Sequence, residues 1–362
     1  MLFEKNIVPF DKTRLFSDLI LDFASHNNNV KSFVRDFSSL ESISSYSPFF
    51  NQVNRKKLVT ILKKQYNKTV FKNQNLEKIY SNIDLLLNDN AYVITTGHQI
   101  NLFISPLFLI YKITSVIAYS KYLNENIKEK CFIPFFWMAT EDNDFHEINS
   151  AYIFDKNYTW DLDHKNAVGN LSNKEILPLL TDLEKDISNN KYGEQLCELY
   201  RFAYTHNTDY ANANRSLLTS FFSDHGLVIV DGNHVDLKKE FINDFKSEVN
   251  NQFVYNTVNE TNKKIREKYK PQINPQTSNI FYLHDSIRSK IQLTDQKYFS
   301  KEHQKEWSKL ELLNEIELHP DRFSPNVFLR TLYQQRILPN VLYVGGPSEI
   351  AYWLQTKELF EH

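Results

Sequence analysis

Four short apolar runs punctuate the chain, and each breaks off into a polar turn. Ala91-Tyr92-Val93-Ile94 stops at Thr95-Thr96-Gly97-His98-Gln99, and residues 131–139 end in Thr140-Glu141-Asp142-Asn143-Asp144-Phe145-His146-Glu147. Leu227-Val228-Ile229-Val230 gives way to Asp231-Gly232-Asn233-His234, and Val341-Leu342-Tyr343-Val344 to Gly345-Gly346-Pro347-Ser348-Glu349. Runs this short that do not alternate with polar residues predict strands buried on both faces. Between the first two, residues 107–123 are apolar nearly all round, which predicts a buried helix opened by Ser105 as N-cap and Pro106 at the first helical position. Strand, helix, strand is a βαβ unit with a right-handed crossover and a parallel sheet. Ligands of such sheets bind at the carboxyl ends of the strands, so the polar turns are expected to meet in one shared pocket.

The remaining pattern is read around that core. Residues 1–90 are mostly helical and polar-rich, with 11–23 and 54–66 the clearest helices; aromatic residues such as Phe10, Phe16, Phe49 and Phe50 suggest packing onto the core, and no chemistry is evident. A hairpin is expected around Asp155-Lys156-Asn157, followed by charged helical spacing over 171–204. Residues 211–225 form a helix that Gly226 closes. In 236–270, Phe241, Phe245, Val249 and Phe253 make one apolar stripe, ended by Pro271 and Pro275. A second hairpin turns at His284-Asp285-Ser286, Ser308-Lys309-Leu310-Glu311 fits a capping box, and Ser324-Pro325 repeats the pairing seen at Ser105-Pro106.

Bulk properties narrow the function classes. With 362 residues, 41% of them hydrophobic, the chain can bury a large core. Lys and Arg number 42 against 44 Asp and Glu, a net charge of −2, without the basic excess of a nucleic-acid binder. Two cysteines, Cys131 and Cys197, are too few for a disulfide scaffold and suit a reducing, cytoplasmic setting. The opening Met1-Leu2-Phe3-Glu4-Lys5 lacks the pattern of an export signal, and no run reaches the ~18 apolar residues of a membrane span. No membrane partner is expected.

The turns carry the candidate chemistry. Gly97-His98-Gln99 after a strand suits a nucleotide-phosphate site of the class I aminoacyl-tRNA synthetase type, or else His98 simply caps a turn. Glu141, Asp142, Asp144, His146 and Glu147 crowd into seven residues. Carboxylates that close suit an amine substrate, Mg²⁺ or a general base, unless the cluster is only a solvated loop with helix-capping acids. Asp231 ends the third strand at an ordinary Asp-Gly turn. Gly345 and Gly346 open a helix beside Glu349, a turn at which backbone N–H groups can approach a phosphate or carboxylate. Arg330, on an apolar-rich helix, needs an anion or carbonyl partner, and Trp137 suits a pocket wall. His164, His206, His234 and His284 are scattered and read as structural or exposed, and Cys131 stands at the wrong end of its strand for the crevice.

Five ordered segments resemble the bacillithiol synthase family, the cysteine ligases of bacillithiol biosynthesis. They are Thr96-Gly97-His98-Gln99-Ile100-Asn101-Leu102-Phe103, Phe135-Phe136-Trp137-Met138-Ala139-Thr140-Glu141-Asp142, His225-Gly226-Leu227-Val228, Arg322-Phe323-Ser324-Pro325-Asn326-Val327 and Gly345-Gly346-Pro347-Ser348-Glu349-Ile350-Ala351-Tyr352-Trp353. The acid block departs from the family at Asn143 and His146. The resemblance, which runs from about residue 90 to the end, implies an α/β fold, a Rossmann-like parallel-sheet core similar to class I synthetases, with 1–150 holding an N-terminal helical part and the first half of the core, connecting insertions at 150–210 and 235–290, and further core segments at 211–235 and 291–362. It also implies a ligase joining the carboxyl of cysteine to the amine of glucosaminyl-malate, and, in the full-length family, a further coiled-coil region supporting homodimers. On this reading Thr96, Gly97, His98, Gln99, Gly345 and Gly346 contact an ATP-derived phosphate or adenylate. Glu141, Asp142 and Asp144 hold cationic amines or Mg²⁺, or take a proton, with His98 also catalytic. Asn101, Trp137, Asp231, Arg330 and Glu349 face the substrates. The alternatives are a catalytically silent sugar-acid or nucleotide binder and a metal-dependent hydrolase built on the acid cluster.

Overall fold

A computed structural model describes residues 7–46, 53–162, 167–285 and 287–361. The expectations placed on Met1 to Lys5, Phe49, Phe50, His164 and Ser286 lie outside the described residues.

The four apolar runs form one parallel sheet. Its strands are β1 (Ala91–His98), β2 (Cys131–Met138), β5 (Val228–Asp231) and β11 (Asn340–Tyr343), in the order β11-β1-β2-β5. All three pairings are parallel, and the register sets His98 beside Met138, Met138 beside Asp231 and Thr95 beside Tyr343. The carboxyl ends therefore share one rim. Chain order reverses at β1, which sends its crossover toward β2 on one side while β11 returns on the other, and the loops leaving β1 and β11 diverge there to open a crevice.

Three readings at β1 and the helix after it are corrected. Thr95, Thr96, Gly97 and His98 continue the strand rather than forming a turn, because each pairs with β2. The helix Leu107–Asn126 buries Leu109, Ile113, Val116 and Leu123 on the sheet but leaves Leu107 and Tyr111 exposed, and its buried face includes Lys112. Ser105 makes no side-chain cap, since the residue before the first turn is Pro106.

The segments between β2 and β5 and between β5 and β11 bring further sheets. Hairpin β3 (Ser150–Ile153) and β4 (Lys156–Thr159) turns at Phe154 and Asp155, both with positive φ, one residue before the expected centre. Helices Ile176–Ile187 and Lys191–His206 follow. The helix Tyr210–Phe222 and a 3₁₀ turn end at Gly226, whose φ of 68° supplies the left-handed cap. The stripe Phe241, Phe245, Val249 and Phe253 is buried as expected, on helices broken at Gln252. An antiparallel sheet then forms from β6 (Ile280–His284), β7 (Ile287–Thr294), β8 (Lys297–Ser300), β9 (Lys305–Trp307) and β10 (Phe323–Pro325), ordered β10-β6-β7-β8-β9. The capping box at Ser308 and Glu311 is present in full.

Ser324-Pro325 is a second corrected cap. Both residues pair with β6, and the Ser324 hydroxyl donates to Glu141 Oε2 at 3.1 Å, so it is not free for a helix. Asn326 caps the helix Val327–Ile337 instead, accepting from the amides of Phe328 and Leu329 at 3.1 and 2.9 Å.

In the N-terminal part, the helix Arg55–Lys68 stands where expected, while residues 11–23 split into Phe10–Thr13 and Asp18–Ala24 at Arg14, which adopts positive φ. From the former helix Gln65 reaches the edge strand β5, donating to the carbonyl of Asp231 at 2.8 Å and accepting from its amide at 3.0 Å.

Candidate active site

The rim of the parallel sheet and the antiparallel sheet enclose a cleft of about 740 Å³. Gly97, His98 and Gln99 reach it from β1, Trp137, Glu141 and Asp142 from β2, Gly232 from the turn after β5, and Gly346 and Glu349 from the turn after β11. Loops separated by about 250 residues of chain thus open onto one space, within the range typical of ligand pockets.

Glycines on this rim serve close approach rather than unusual φ. A Cβ on Gly97 would stand 3.3 Å from the Tyr343 hydroxyl and 3.4 Å from Arg330 Nη1, so its absence lets the guanidinium lie against the strand end. A Cβ on Gly346 would meet the Phe108 ring at 2.6 Å.

The acid cluster divides. Glu141 Oε1 lies 2.5 Å from the ammonium of Lys238, itself 1% exposed, and that ammonium also donates to the Asp321 carbonyl. Asp142 accepts from Gln99 Nε2 at 2.9 Å and from the Asn143 amide at 2.8 Å, with Arg288 Nη1 at 3.7 Å. Burial pushes the Asp142 carboxyl upward, but Arg288, Gln99 and the two following amides outweigh it and hold the group below its ordinary range. Asp144 is exposed and stands away from the cleft, because the chain turns outward into the short helix Phe145–Ile148.

Other expected contacts are taken up internally. The Thr96 hydroxyl donates to the Val344 carbonyl at 2.7 Å, tying β1 to β11. Asn101 donates to the Glu147 carbonyl at 3.0 Å, and Asp231 accepts from the Thr140 hydroxyl at 2.5 Å and the Asn233 amide at 2.8 Å. None of these three lines the cleft, nor does Gly345. The Gly346 amide donates to Glu349 Oε2 at 2.9 Å, so the turn caps itself rather than presenting that N–H to a ligand. Glu349 also accepts from the Tyr343 hydroxyl at 2.6 Å and from Lys112 at 2.5 Å, while Lys112 donates to the Gly97 carbonyl. Burial pushes Glu349 up, and Lys112, Tyr343 and the Gly346 amide hold it down overall.

His98 and Arg330 keep their chemistry available. The His98 Nδ1 lies 3.0 Å from the Gln99 carbonyl, which can only accept, so Nδ1 carries the proton and Nε2 of the neutral ring is the acceptor. Burial and the nearby Lys112 ammonium lower its pKa. Arg330 donates to the Tyr352 hydroxyl at 2.7 Å, and among the described residues no carboxylate lies within 4 Å of it. Lys290 is likewise without a carboxylate; its ammonium donates to Gln276 Oε1 at 3.0 Å.

Sequence reading missed Lys112, Lys238, Arg288, Lys290 and Asn326. Arg288 is fixed by the Ser324 hydroxyl, the Pro325 carbonyl and Asn143, and lies 3.8 Å over the Phe281 ring. A signal existed: residues 288 and 290 share one face of a strand, so two cations at that spacing mark one surface. Lys112 was legible as a single charge on an otherwise apolar helical face.

The residues do not fit a protein-held Mg²⁺. Among the described residues no three His, Cys, Asp or Glu side chains converge as a ligand set, and Glu141 and Asp142 already have cationic partners.

Comparison with known proteins agrees with this fold. The family model described as "Bacillithiol biosynthesis BshC, N-terminal Rossmann-like domain" matches residues 3–362. A protein of Flavobacterium johnsoniae named "Putative cysteine ligase BshC" is 38% identical over 361 residues, covering 98% of this chain and 67% of its own length. A protein of the same name from Christiangramia forsetii is 38% identical over 365 residues with the same coverage, and one from Bacillus cereus is 29% identical over 296 residues, 78% of this chain and 55% of its own. Family match, parallel-sheet topology and cleft thus coincide, and the chain belongs to the BshC family of bacillithiol biosynthesis, matching its N-terminal Rossmann-like domain.

Proposed function

We propose that this protein takes part in joining the carboxyl of cysteine to the amine of glucosaminyl-malate, the cleft at the switch point being the active site. The observation that carries the reading is the pairing, in one cleft, of a neutral imidazole with two cations that lack carboxylate partners, Arg330 and Lys290. Cations with spare donors suit the carboxylates of the malyl group or the phosphates of a nucleotide. An amine must lose a proton to attack an acyl carbon, and a neutral imidazole can accept it. Glu141 and Asp142, engaged by Lys238 and Arg288, are poorer acceptors, so His98 takes the role of base and the two acids become supports for the cleft wall.

A free carboxylate does not condense with an amine in water, so the cysteine carboxyl needs activation, and ATP as co-substrate supplies it on this reading. Magnesium would arrive on the nucleotide phosphates and keep mostly water ligands. Family membership favours the ligase over a silent binder or a metal-dependent hydrolase. No helix among the described residues is long and apolar enough to cross a membrane, in keeping with a cytoplasmic reaction, and the homodimer of the full-length family remains part of the proposal.

The test is direct. Protein incubated with glucosaminyl-malate, cysteine and ATP is expected to form bacillithiol by mass spectrometry, and His98→Ala to lower the rate of its formation at least about a hundredfold, the lower bound of the roughly 10²–10⁴ that general acid–base catalysis supplies. Full turnover in His98→Ala would remove the imidazole from the mechanism.

A further inference from the structure

Facing the rim of the parallel sheet, the cleft has a wall without regular secondary structure, residues 271–279, which contributes Ile273, Asn274, Gln276 and Ser278. Such a loop keeps its shape only if its backbone polar groups find partners outside itself. The main partner is Gln355, just beyond the helix Pro347–Trp353 and 0% exposed. Its one amide meets both main-chain groups of Ile273: Nε2 donates to the carbonyl at 2.7 Å, and Oε1 accepts from the N–H at 3.1 Å. The same Nε2 donates to Asn262 Oδ1 at 2.5 Å, and Asn262 Nδ2 donates to the Ile273 carbonyl at 3.2 Å.

The far end of the wall is tied to the cleft itself. Asn279 donates to the buried Glu248 at 2.8 Å, while its carbonyl accepts from the Asn326 amide at 3.0 Å and its Oδ1 from Asn326 Nδ2 at 2.7 Å. Asn326 starts the helix that carries Arg330. Midway along, Gln276 holds the Lys290 ammonium. The wall thus holds the Lys290 ammonium at one point and the start of the Arg330 helix at another.

We infer that Gln355, which does not itself line the cleft, is a positioning residue: by clamping Ile273 it fixes the 271–279 wall and with it the spacing between Lys290 and Arg330, and so selects ligands carrying two anionic groups at that span. The inference rests on the cleft being the ligand site, and its test separates the two.

Gln355→Leu keeps the side-chain bulk and removes both bonds to Ile273 together with the one to Asn262. Amide hydrogen exchange of the ligand-free protein, read by mass spectrometry, should quicken about tenfold or more across 271–279, the scale of one or two lost hydrogen bonds, with peptides from β1 and β2 unchanged. In turnover assays the KM for glucosaminyl-malate should rise about tenfold while kcat stays within twofold, the split of a residue that sets binding geometry. Arg266→Ala, which removes a 2.8 Å bond to Asn274 from the exposed side, should give the same pattern more weakly and serves if Gln355→Leu does not fold. Unaltered exchange in 271–279, or a fall in kcat at constant KM, overturns the inference. Wild-type protein without turnover would instead count against the proposed reaction, and the exchange result alone would then decide the clamp.

Discussion

Replacing Arg330 by methionine should separate ligand binding from folding. Methionine keeps an unbranched stem on the helix Val327–Ile337, so the packing beside Gly97 is largely retained while the guanidinium is lost. The guanidinium donates to the Tyr352 hydroxyl at 2.7 Å, and among the described residues no carboxylate within 4 Å is left unpaired when it goes. Burial penalises the guanidinium, but the Tyr352 and Tyr343 hydroxyls and the Glu349 carboxylate outweigh that penalty, so its loss removes a modest net stabilisation. The stability change is therefore expected to be a destabilisation of about 1–2 kcal/mol. Binding should respond differently, since a charge-assisted bond to an anionic ligand contributes about 1.5–3 kcal/mol. That is roughly a ten- to hundredfold weaker Kd. Calorimetric titration with glucosaminyl-malate measures the second quantity and thermal unfolding the first. A Kd changed less than threefold would refute the anion-site reading, as would a large loss of stability with affinity intact.

Three further outcomes follow from the same geometry. Lys238→Met leaves Glu141 without its cation and is expected to destabilise by about 3–5 kcal/mol in chemical denaturation, with Glu141→Gln added to the same chain restoring most of the loss; equal loss in single and double variants would show that the pair is not coupled. Asp142 is held below its ordinary value in the folded state, so its contribution is fully present above the unfolded carboxylate pKa of 3.8 and is lost as pH falls through the lower folded value. The stability gap between wild type and Asp142→Asn should then be constant at neutral pH and close in acid, and a gap that widens in acid would contradict the assignment. Gly346→Ala drives a methyl group into the Phe108 ring and should lower the thermal midpoint, with Phe108→Leu in the same chain recovering much of it; a neutral Gly346→Ala would mean the turn has room to shift.

How much of this the chain announced depended on the range of the interaction. Strands β2, β5 and β11 were legible because solvent-shielded strands leave unbroken apolar runs, and Gly226 because left-handed φ favours glycine. The end of β1 was not, since Thr95, Thr96 and His98 look like turn residues until a neighbouring strand pairs with them. Ser324 misled for a similar reason: a hydroxyl that suits a cap locally was taken by a carboxylate 183 positions away. The site divided along the same line. That His98, Asp142 and Gly346 share a cleft followed from topology, whereas the ion pairs of Lys112 with Glu349, Lys238 with Glu141 and Arg288 with Asp142 join segments far apart in the chain, so the sequence could show a stray cation but not the acid it meets.

The N-terminal helix Arg55–Lys68 shows what a segment without chemistry contributes. On the free side of β5 the outward main-chain groups alternate at 227, 229 and 231, and two adjacent side chains cover them: the Tyr66 hydroxyl accepts from the Ile229 amide at 2.9 Å and contacts the Leu227 carbonyl, and Gln65 serves both groups of Asp231. A strand border left bare is a template for sticking to other chains, and here it is sealed by a phenol and an amide instead of by charge or proline. Shortened versions of this protein that begin after residue 70 would bare that border, and they should self-associate even though every residue of the cleft is kept.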